Sequence, residues 1–302
     1  MKKQARVRPI ELPDDLRVRR IAGAQRAPFA AALSPAELWL AREMGYEPIA
    51  PVTGTSVIQV PQASALMSRS RESPVLTGVI EGMWCAALVR MQEQARILGA
   101  TGIVAAHIQA WGVERDKDGL MGLPDDRPAL EDGDTIRVSL IGTAVRIAGL
   151  PATGVPFVCS LSGQEICALA QAGFRPVGFA YGNCVWSQVS RQRLSNRRNK
   201  EVTGMTLAIY RARRLVIERA QKMAAAYAGQ GILGLKLRFR VLEFARGPRS
   251  APRADVALSF FAGGTVVASL SSQSVSTINH SNINYSLMLN DRSKRRTKQG
   301  EN

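Results

Sequence analysis

The chain has 302 residues, of which 46% are hydrophobic and 21% are charged. This balance excludes a largely disordered protein, and the length allows two ordinary domains. The net charge of +16 is unevenly distributed, because residues 31–150 carry 10 basic and 14 acidic residues whereas residues 151–290 carry 17 basic and 5 acidic ones. This asymmetry indicates that the two halves face different partners or face each other.

The N-terminal residues are charged, and no apolar run of signal-peptide length follows them. No uncharged segment approaches the roughly 20 residues that span a bilayer. We therefore expect a cytoplasmic protein. The four cysteines have no C-x-x-C spacing, so reduced, partly buried thiols are expected rather than disulfides.

Residues 1–30 show little periodicity and are predicted to form a basic, flexible arm. Ser34 has the position of a helix N-cap, with Pro35 at the first helical residue, and Gly45 ends this short helix. A strand is predicted over about residues 48–60, and a loop follows it.

Apolar residues recur at steps of three and four between Ile80 and Leu98, which predicts a long amphipathic helix lying on one face of a sheet. Gly99 and Gly102 end this helix, and the β-branched residues after them predict a strand over residues 103–111. A hydrophilic stretch then leads into a last strand over residues 136–147.

The same pattern returns about 128 residues later in the chain. Identical residues recur at the following positions: Leu33, Ser34, Glu37, Gly45, Pro48, Gly54 and Val57 match Leu161, Ser162, Glu165, Gly173, Pro176, Gly182 and Val185. With one residue inserted, residues 204–240 retrace the long helix and its strand, and residues 264–267 echo residues 142–145. The sequence therefore predicts a tandem duplication of a unit of about 120 residues.

The predicted domains are a first unit at residues 31–148, a linker at 149–160, a second unit at 161–270, and a polar, basic, mostly mobile tail at 271–302. Each unit is predicted to be a two-layer β-α-β-β arrangement of the α/β (α+β) class, in which one long helix covers a small three-stranded sheet and a short helix precedes it. Such a sheet leaves a face and its edges uncovered, so we expect a homo-oligomer.

The pattern resembles the YbjQ-like family, which is often described as a heavy-metal-binding domain. The resemblance in the first unit rests on Gly45 and Tyr46, residues 52–54, the helix tail at 93–104, and residues 142–145. In the second unit it rests on residues 179–182, 231–234 and 264–267. The resemblance implies units that form rings through strand pairing, and a metal or ligand site whose residues and cofactor are unknown.

The residues themselves argue against a Cys/His metal site, which typically needs four converging ligands. No candidate ligand is duplicated between the units; the candidates are Cys85, Cys159, Cys167, Cys184, His107 and His280. The acidic loop at residues 112–135 lacks the ordered spacing of a calcium loop and is interpreted as a solvated loop.

Loops at corresponding places in the two units carry opposite charge. The acidic loop of the first unit is predicted to pair with the basic loop of the second unit. The paired residues are Asp116, Asp118, Asp125 and Asp126 in the acidic loop and Arg246, Arg249 and Arg253 in the basic loop. Such pairing favours alternation of first and second units around a ring.

The second unit also carries a basic surface that is predicted to contact anions or an acidic protein partner. Its residues are Arg191, Arg193, Arg197, Arg198, Lys200, Arg211, Arg213, Arg214, Lys236, Arg238 and Arg240. The last three alternate with apolar residues in a predicted strand and so line one face of it.

Catalytic signals are absent from the sequence, which has neither a G-x-S-x-G elbow nor a phosphate-binding loop. The sequence therefore predicts a non-enzymatic, ring- or shell-forming assembly protein. The alternative is an anion-binding module that contacts nucleic acid or an anionic membrane through its basic second unit.

Overall fold

A computed structural model describes residues 33–61, 71–114, 133–147, 149–150, 154–188, 203–246 and 253–270. These residues form four helices and two four-stranded sheets, which confirms the predicted mixed α/β class. The elements in chain order are α1 (Pro35–Glu43), β1 (Tyr46–Pro61), β2 (Arg71–Glu72), α2 (Pro74–Ile97), β3 (Gly102–Glu114), β4 (Gly133–Ile147), β5 (Phe157–Val158), α3 (Gly163–Gln171), β6 (Phe174–Gln188), α4 (Thr203–Ala226), β7 (Gly231–Arg246) and β8 (Arg253–Ser269).

The first sheet has the strand order β1-β4-β3-β5 and the second has the order β2-β6-β8-β7. Each sheet therefore holds four strands where the sequence predicted three. The fourth strand of each sheet has only two residues. Strand β2 precedes α2 in the chain but pairs with β6, and β5 lies in the predicted linker and pairs in parallel with β3. The segment before α2 thus crosses to the second sheet, and the linker closes an edge of the first.

The short helices begin as predicted. Ser34 and Glu37 form a capping box at α1, in which each side chain accepts a hydrogen bond from the backbone N–H of the other. Ser162 and Glu165 do the same at α3. These side chains satisfy N–H groups that the first helical turn leaves unpaired, which fixes where each helix starts.

Helix α2 lies between the two sheets. On one side Gly54 of β1 approaches so closely that a Cβ there would lie 1.9 Å from the carbonyl oxygen of Ala87. On the other side the indole of Trp84 stacks on Phe261 of β8, and Asn183 of β6 donates a hydrogen bond to the carbonyl oxygen of Thr77. The helix is therefore buried by both sheets rather than by one.

Helix α4 covers the opposite face of the second sheet. A Cβ on Gly182 of β6 would lie 2.1 Å from the carbonyl oxygen of Val216. The layers are thus first sheet, α2, second sheet and α4. The expectation that each sheet leaves an apolar face uncovered was wrong for the second sheet, because its two faces pack on α2 and α4.

One described helix, α2, is long and apolar enough to cross a membrane by length and composition alone, with a mean hydropathy of 1.3 over its most apolar window. The expectation that no segment approaches the length and apolar character needed to span a bilayer was therefore too strong. Its apolar character has a packing explanation, since its residues Leu76, Ile80, Met83 and Trp84 are buried between the sheets. A helix covered on two sides needs apolar residues around most of its circumference.

Candidate assembly surface

Strand β7 is the last strand of the second sheet within the described residues, where it pairs with β8 alone. Its first ten residues include four exposed apolar side chains: Leu233 (44% exposed), Leu235 (41%), Leu237 (37%) and Phe239 (55%). A long edge strand with exposed apolar residues presents unpaired backbone groups and apolar area together. Such an edge favours association with another strand.

The packing of the second sheet explains why Phe239 is exposed. Phe239 lies opposite Phe260 in the β7–β8 pair, and the two rings stack with centroids 5.6 Å apart. Phe260 is buried under α4. The helix covers β6 and β8, so Phe239 lies on the same face just beyond the helix.

The start of the corresponding edge in the first sheet is covered. There β5 pairs with the start of β3, and Ile103 and Val104 are fully buried. Within the described residues no added strand covers β7 in this way. The exposed apolar side chains farther along β7, Leu237 and Phe239, make this strand the candidate surface for contact with a neighbour.

The face of β7 opposite Leu237 and Phe239 carries the predicted basic side chains. Lys236, Arg238 and Arg240 are exposed, and Arg238 lies opposite Phe261, which faces α2. The sequence correctly placed these three residues on one face. Charged side chains flanking an apolar edge restrict which partner strands can pair with it.

Helix α4 carries a second basic group. Arg211, Arg213 and Arg214 are exposed, and Arg214 forms a surface ion pair with Glu218 at 2.7 Å. These residues lie on the α4 side of the second sheet, whereas the basic residues of β7 lie on its α2 side. The sheet separates the two groups, so they do not form one continuous basic stripe. The predicted contact residues Arg191, Arg193, Arg197, Arg198 and Lys200 lie outside the described residues.

The predicted charge-pairing loops are only partly within the described chain. Asp116, Asp118, Asp125, Asp126 and Arg249 lie outside it. Arg246 and Arg253 face each other as the last described pair of the β7–β8 hairpin.

Among the described residues, no group of three or more His, Cys, Asp or Glu side chains converges in a way that could hold a metal ion. Cys159 and Cys184 are buried, and burial raises the pKa of their thiols to about 11 and about 12, respectively. A thiol that stays protonated is a poor nucleophile and a poor metal ligand. His107 is exposed on β3, with Nδ1 3.1 Å from the carbonyl oxygen of Ala105, and His280 lies outside the described residues.

A pocket of about 290 Å³ lies between the second half of α2, the residues of β5 and the end of α4. Its walls include Leu88, Phe157, Phe179 and Tyr227, with Glu93 and Arg96 among the polar residues that line it. Arg96 donates two hydrogen bonds of 2.8 Å to Glu93, so these charges satisfy each other. The pocket offers an apolar cleft without a set of convergent catalytic groups.

The sequence did not predict that the apolar face of β7 is a surface. The alternation in residues 232–240 predicts apolar residues opposite a basic face, but alternation does not reveal whether the apolar face is covered. The available signal was the uninterrupted basic side, because a strand with charges along one side is typical of sheet edges.

One comparison with known proteins decides the family. The chain is 31% identical over 263 residues to the encapsulin nanocompartment protein Rv1762c of Mycobacterium tuberculosis (strain ATCC 25618 / H37Rv), a match that covers 84% of this chain and 90% of that relative. The chain belongs to the same family as this nanocompartment protein. No model of a known family matches the chain, and no solved structure matches it. The resemblance to the YbjQ-like family was therefore wrong, and the metal site it implied loses its basis.

Proposed function

We propose that this member of the nanocompartment protein family is a non-enzymatic protein that associates with copies of itself into a ring or shell in the cytoplasm. The family relationship supports this proposal, because the relative is named as a protein of an encapsulin nanocompartment. A protein that builds or lines a compartment needs surfaces that contact neighbouring copies more than it needs a reactive site.

The exposed edge of β7 is the observation that carries the proposal. Leu237 and Phe239 place apolar area beside backbone groups that have no strand partner among the described residues, and pairing with a neighbour's strand would bury both. The basic residues on the opposite face favour a neighbouring surface that is acidic. An acidic partner protein would satisfy the same charge requirement, so the identity of the neighbour is part of the test.

We also propose that the two halves of the chain are copies of one β-α-β-β unit. Equivalent contacts support this: Gly54 packs on Ala87 and Gly182 packs on Val216 at positions that correspond in the sequence repeat. Arg90 and Arg219 also correspond in the repeat. Arg90 donates a hydrogen bond to the carbonyl oxygen of Thr55, and Arg219 donates one to the carbonyl oxygen of Asn183.

The charge-pairing hypothesis fits within this proposal. Acidic loops of first units and basic hairpin ends of second units would alternate in the assembly. Reversing Arg246, Arg249 and Arg253 to Glu is expected to weaken assembly, and assembly that is unchanged by these reversals refutes the pairing.

The assembly itself is tested by the double variant Leu237→Lys and Phe239→Lys, measured by sedimentation velocity beside the wild-type chain. Charges at both positions oppose strand pairing with a neighbour, so we expect smaller species. Tyr210→Lys on α4 is the matched control, because Tyr210 is 63% exposed and lies away from the edge. Circular dichroism establishes that all variants are folded. A double variant that assembles as the wild type does contradicts the proposed surface.

A second proposal is an anion-binding module that contacts nucleic acid or an anionic membrane. It is favoured by exposed basic residues on α4 and β7, which include Arg211, Arg213, Arg214, Lys236, Arg238 and Arg240. Binding of a DNA duplex, or of vesicles containing phosphatidylserine, should then weaken steeply as salt rises. A chain that stays monomeric yet binds in this salt-dependent way favours the second proposal over the first.

A further inference from the structure

The edge of β3 shows how this fold protects a strand. The N–H of Cys159 donates to the carbonyl oxygen of Ile103 at 2.8 Å, and the N–H of Ala106 donates to the carbonyl oxygen of Cys159 at 2.9 Å. The N–H of Ala105 donates to the carbonyl oxygen of Leu161 at 3.1 Å. The residues that lead into α3 thus act as an added parallel strand on the first sheet.

A glycine makes room for this added strand. A Cβ built on Gly102 would lie 2.1 Å from Cε1 of Phe157, a separation that real side chains do not adopt. Phe157 therefore lies directly over Gly102, its partner in the β3–β5 pair. Glycine at position 102 is explained by the aromatic ring that packs on it.

Gly231 holds the same place in the second sheet. It begins β7 and pairs with Val267, as Gly102 begins β3 and pairs with Val145. A Cβ on Gly231 would meet no atom of the described residues within 4 Å, and Gly231 is not among the glycines with positive φ. Neither close packing nor backbone conformation within the described residues accounts for glycine at this position.

The sequence supplies a counterpart to Phe157. Residues 27–34 read APFAAALS and residues 155–162 read VPFVCSLS, so Phe29 corresponds to Phe157 at the spacing of 128 that relates the two capping boxes. Leu33 packs against the buried cluster that contains Val267, the strand partner of Gly231. Phe29 precedes Leu33 by four residues, as Phe157 precedes Leu161, so the chain can reach the edge of β7.

We propose that residues 27–32 add to the start of β7 of the same chain as a short parallel strand, with the ring of Phe29 over Gly231. The expected hydrogen bonds follow those of the first sheet. The N–H of Ala31 donates to the carbonyl oxygen of Ile232, and the N–H of Leu235 donates to that of Ala31. Residues 236–246 of β7 remain available to neighbouring copies, so this inference does not depend on the proposed assembly.

Amide hydrogen exchange of the wild-type chain tests the added strand directly. The amides of Ala31 and Leu235 are expected to exchange slowly, at rates comparable to those of Cys159 and Ala106, whose hydrogen bonds are observed. Exchange of Ala31 and Leu235 at the rate of an unprotected amide overturns the proposal.

A mutant cycle tests the contact between Phe29 and Gly231. If the ring lies there, Gly231→Ala lowers the Tm by several degrees, and the loss disappears in a Phe29→Ala background. The matched control is the cycle of Gly102→Ala and Phe157→Ala, where the contact is present in the structure. Coupling in the control cycle but none between positions 29 and 231 overturns the proposal.

A photo-crosslink decides which copy supplies the strand. With p-benzoylphenylalanine in place of Phe29, irradiation is expected to link position 29 to the start of β7 in a product that migrates as a single chain on a denaturing gel. A product that migrates as a cross-linked dimer contradicts the proposal, because the strand would then come from a second copy.

Discussion

Trp84 of α2 stacks on Phe261 of β8 with ring centroids 4.1 Å apart and ring planes inclined by 22°. Both side chains are fully buried, and Tyr181 of β6 lies beside them with its ring centroid 5.9 Å from that of Trp84. This aromatic cluster joins the two halves of the molecule. In the sequence repeat Phe261 corresponds to Ser139 and Tyr181 to Thr53, so only the second sheet has an aromatic face that can pack on the back of α2.

Replacing Phe261 by Ala should therefore destabilise the whole fold rather than one half. We expect a loss of about 3–5 kcal/mol in the free energy of unfolding, because the substitution leaves a cavity against Trp84. Denaturant unfolding measures this loss in the free energy of unfolding. Trp39→Ala is the control, since Trp39 is 62% exposed, and it should change the free energy by no more than about 0.5 kcal/mol. Equal effects of the two substitutions would argue against the packing between the halves.

Gly54 should not tolerate a side chain. A Cβ there would lie 1.9 Å from the carbonyl oxygen of Ala87, which is backbone and cannot rotate away. We expect Gly54→Ala to push α2 from the first sheet and to lower the Tm by several degrees or more. Gly78 on α2 has no atom of another described element within 4 Å of its Cβ position, and Gly78→Ala should stabilise the helix by about 0.5–1 kcal/mol. Thermal unfolding of both variants tests this contrast, and a neutral Gly54→Ala contradicts the close approach.

Arg219 of α4 ties the second sheet to the segment before α2. It donates to Glu72 of β2 at 2.7 Å and to the carbonyl oxygen of Asn183 at 2.6 Å, and both charged side chains are largely buried. Arg219→Met leaves Glu72 without its cation, so we expect a loss of about 2 kcal/mol. The control Arg214→Met removes an exposed pair and should cost less than about 0.5 kcal/mol. Urea titration of each variant measures the difference, and similar losses would show that burial of the Arg219 pair is unimportant.

The structure shows why some features of the fold could be predicted from the sequence and others could not. The capping boxes at Ser34 and Ser162 are local, so the residues that form them identify them in the sequence. The position of α2 between two sheets depends on Phe261, far away in the chain, and no local pattern reveals that contact. Strands β2 and β5 have two residues each, too few to show any periodicity.

The exposure of the apolar face of β7 could not be predicted for a related reason. Alternation in β7 correctly separated Arg238 from Phe239, but whether the Phe239 face is covered depends on how far α4 extends across the sheet. Helix length and crossing position are set by packing among several elements. The candidate surface therefore became visible only once those elements were assembled.

The buried thiols predict a pH dependence of stability. The pKa values of Cys159 and Cys184 in the folded chain, about 11 and about 12, lie above the usual thiol value, which is about 8.5. The folded state thus keeps protons that the unfolded state loses, and the free energy of unfolding should fall as the pH rises from about 8.5 toward 11. Urea titrations across this range measure the trend, and a Cys184→Ala variant should reduce its slope. Stability that rises over this range would contradict the burial of these groups.

The most direct measurement for the central claim is the mass of the untreated wild-type assembly, determined by sedimentation velocity at low and high salt. The account predicts a closed multiple of the 32.7 kDa chain that persists at high salt, because the contact through Leu237 and Phe239 is apolar. A single 32.7 kDa species at micromolar concentration in both buffers would contradict it.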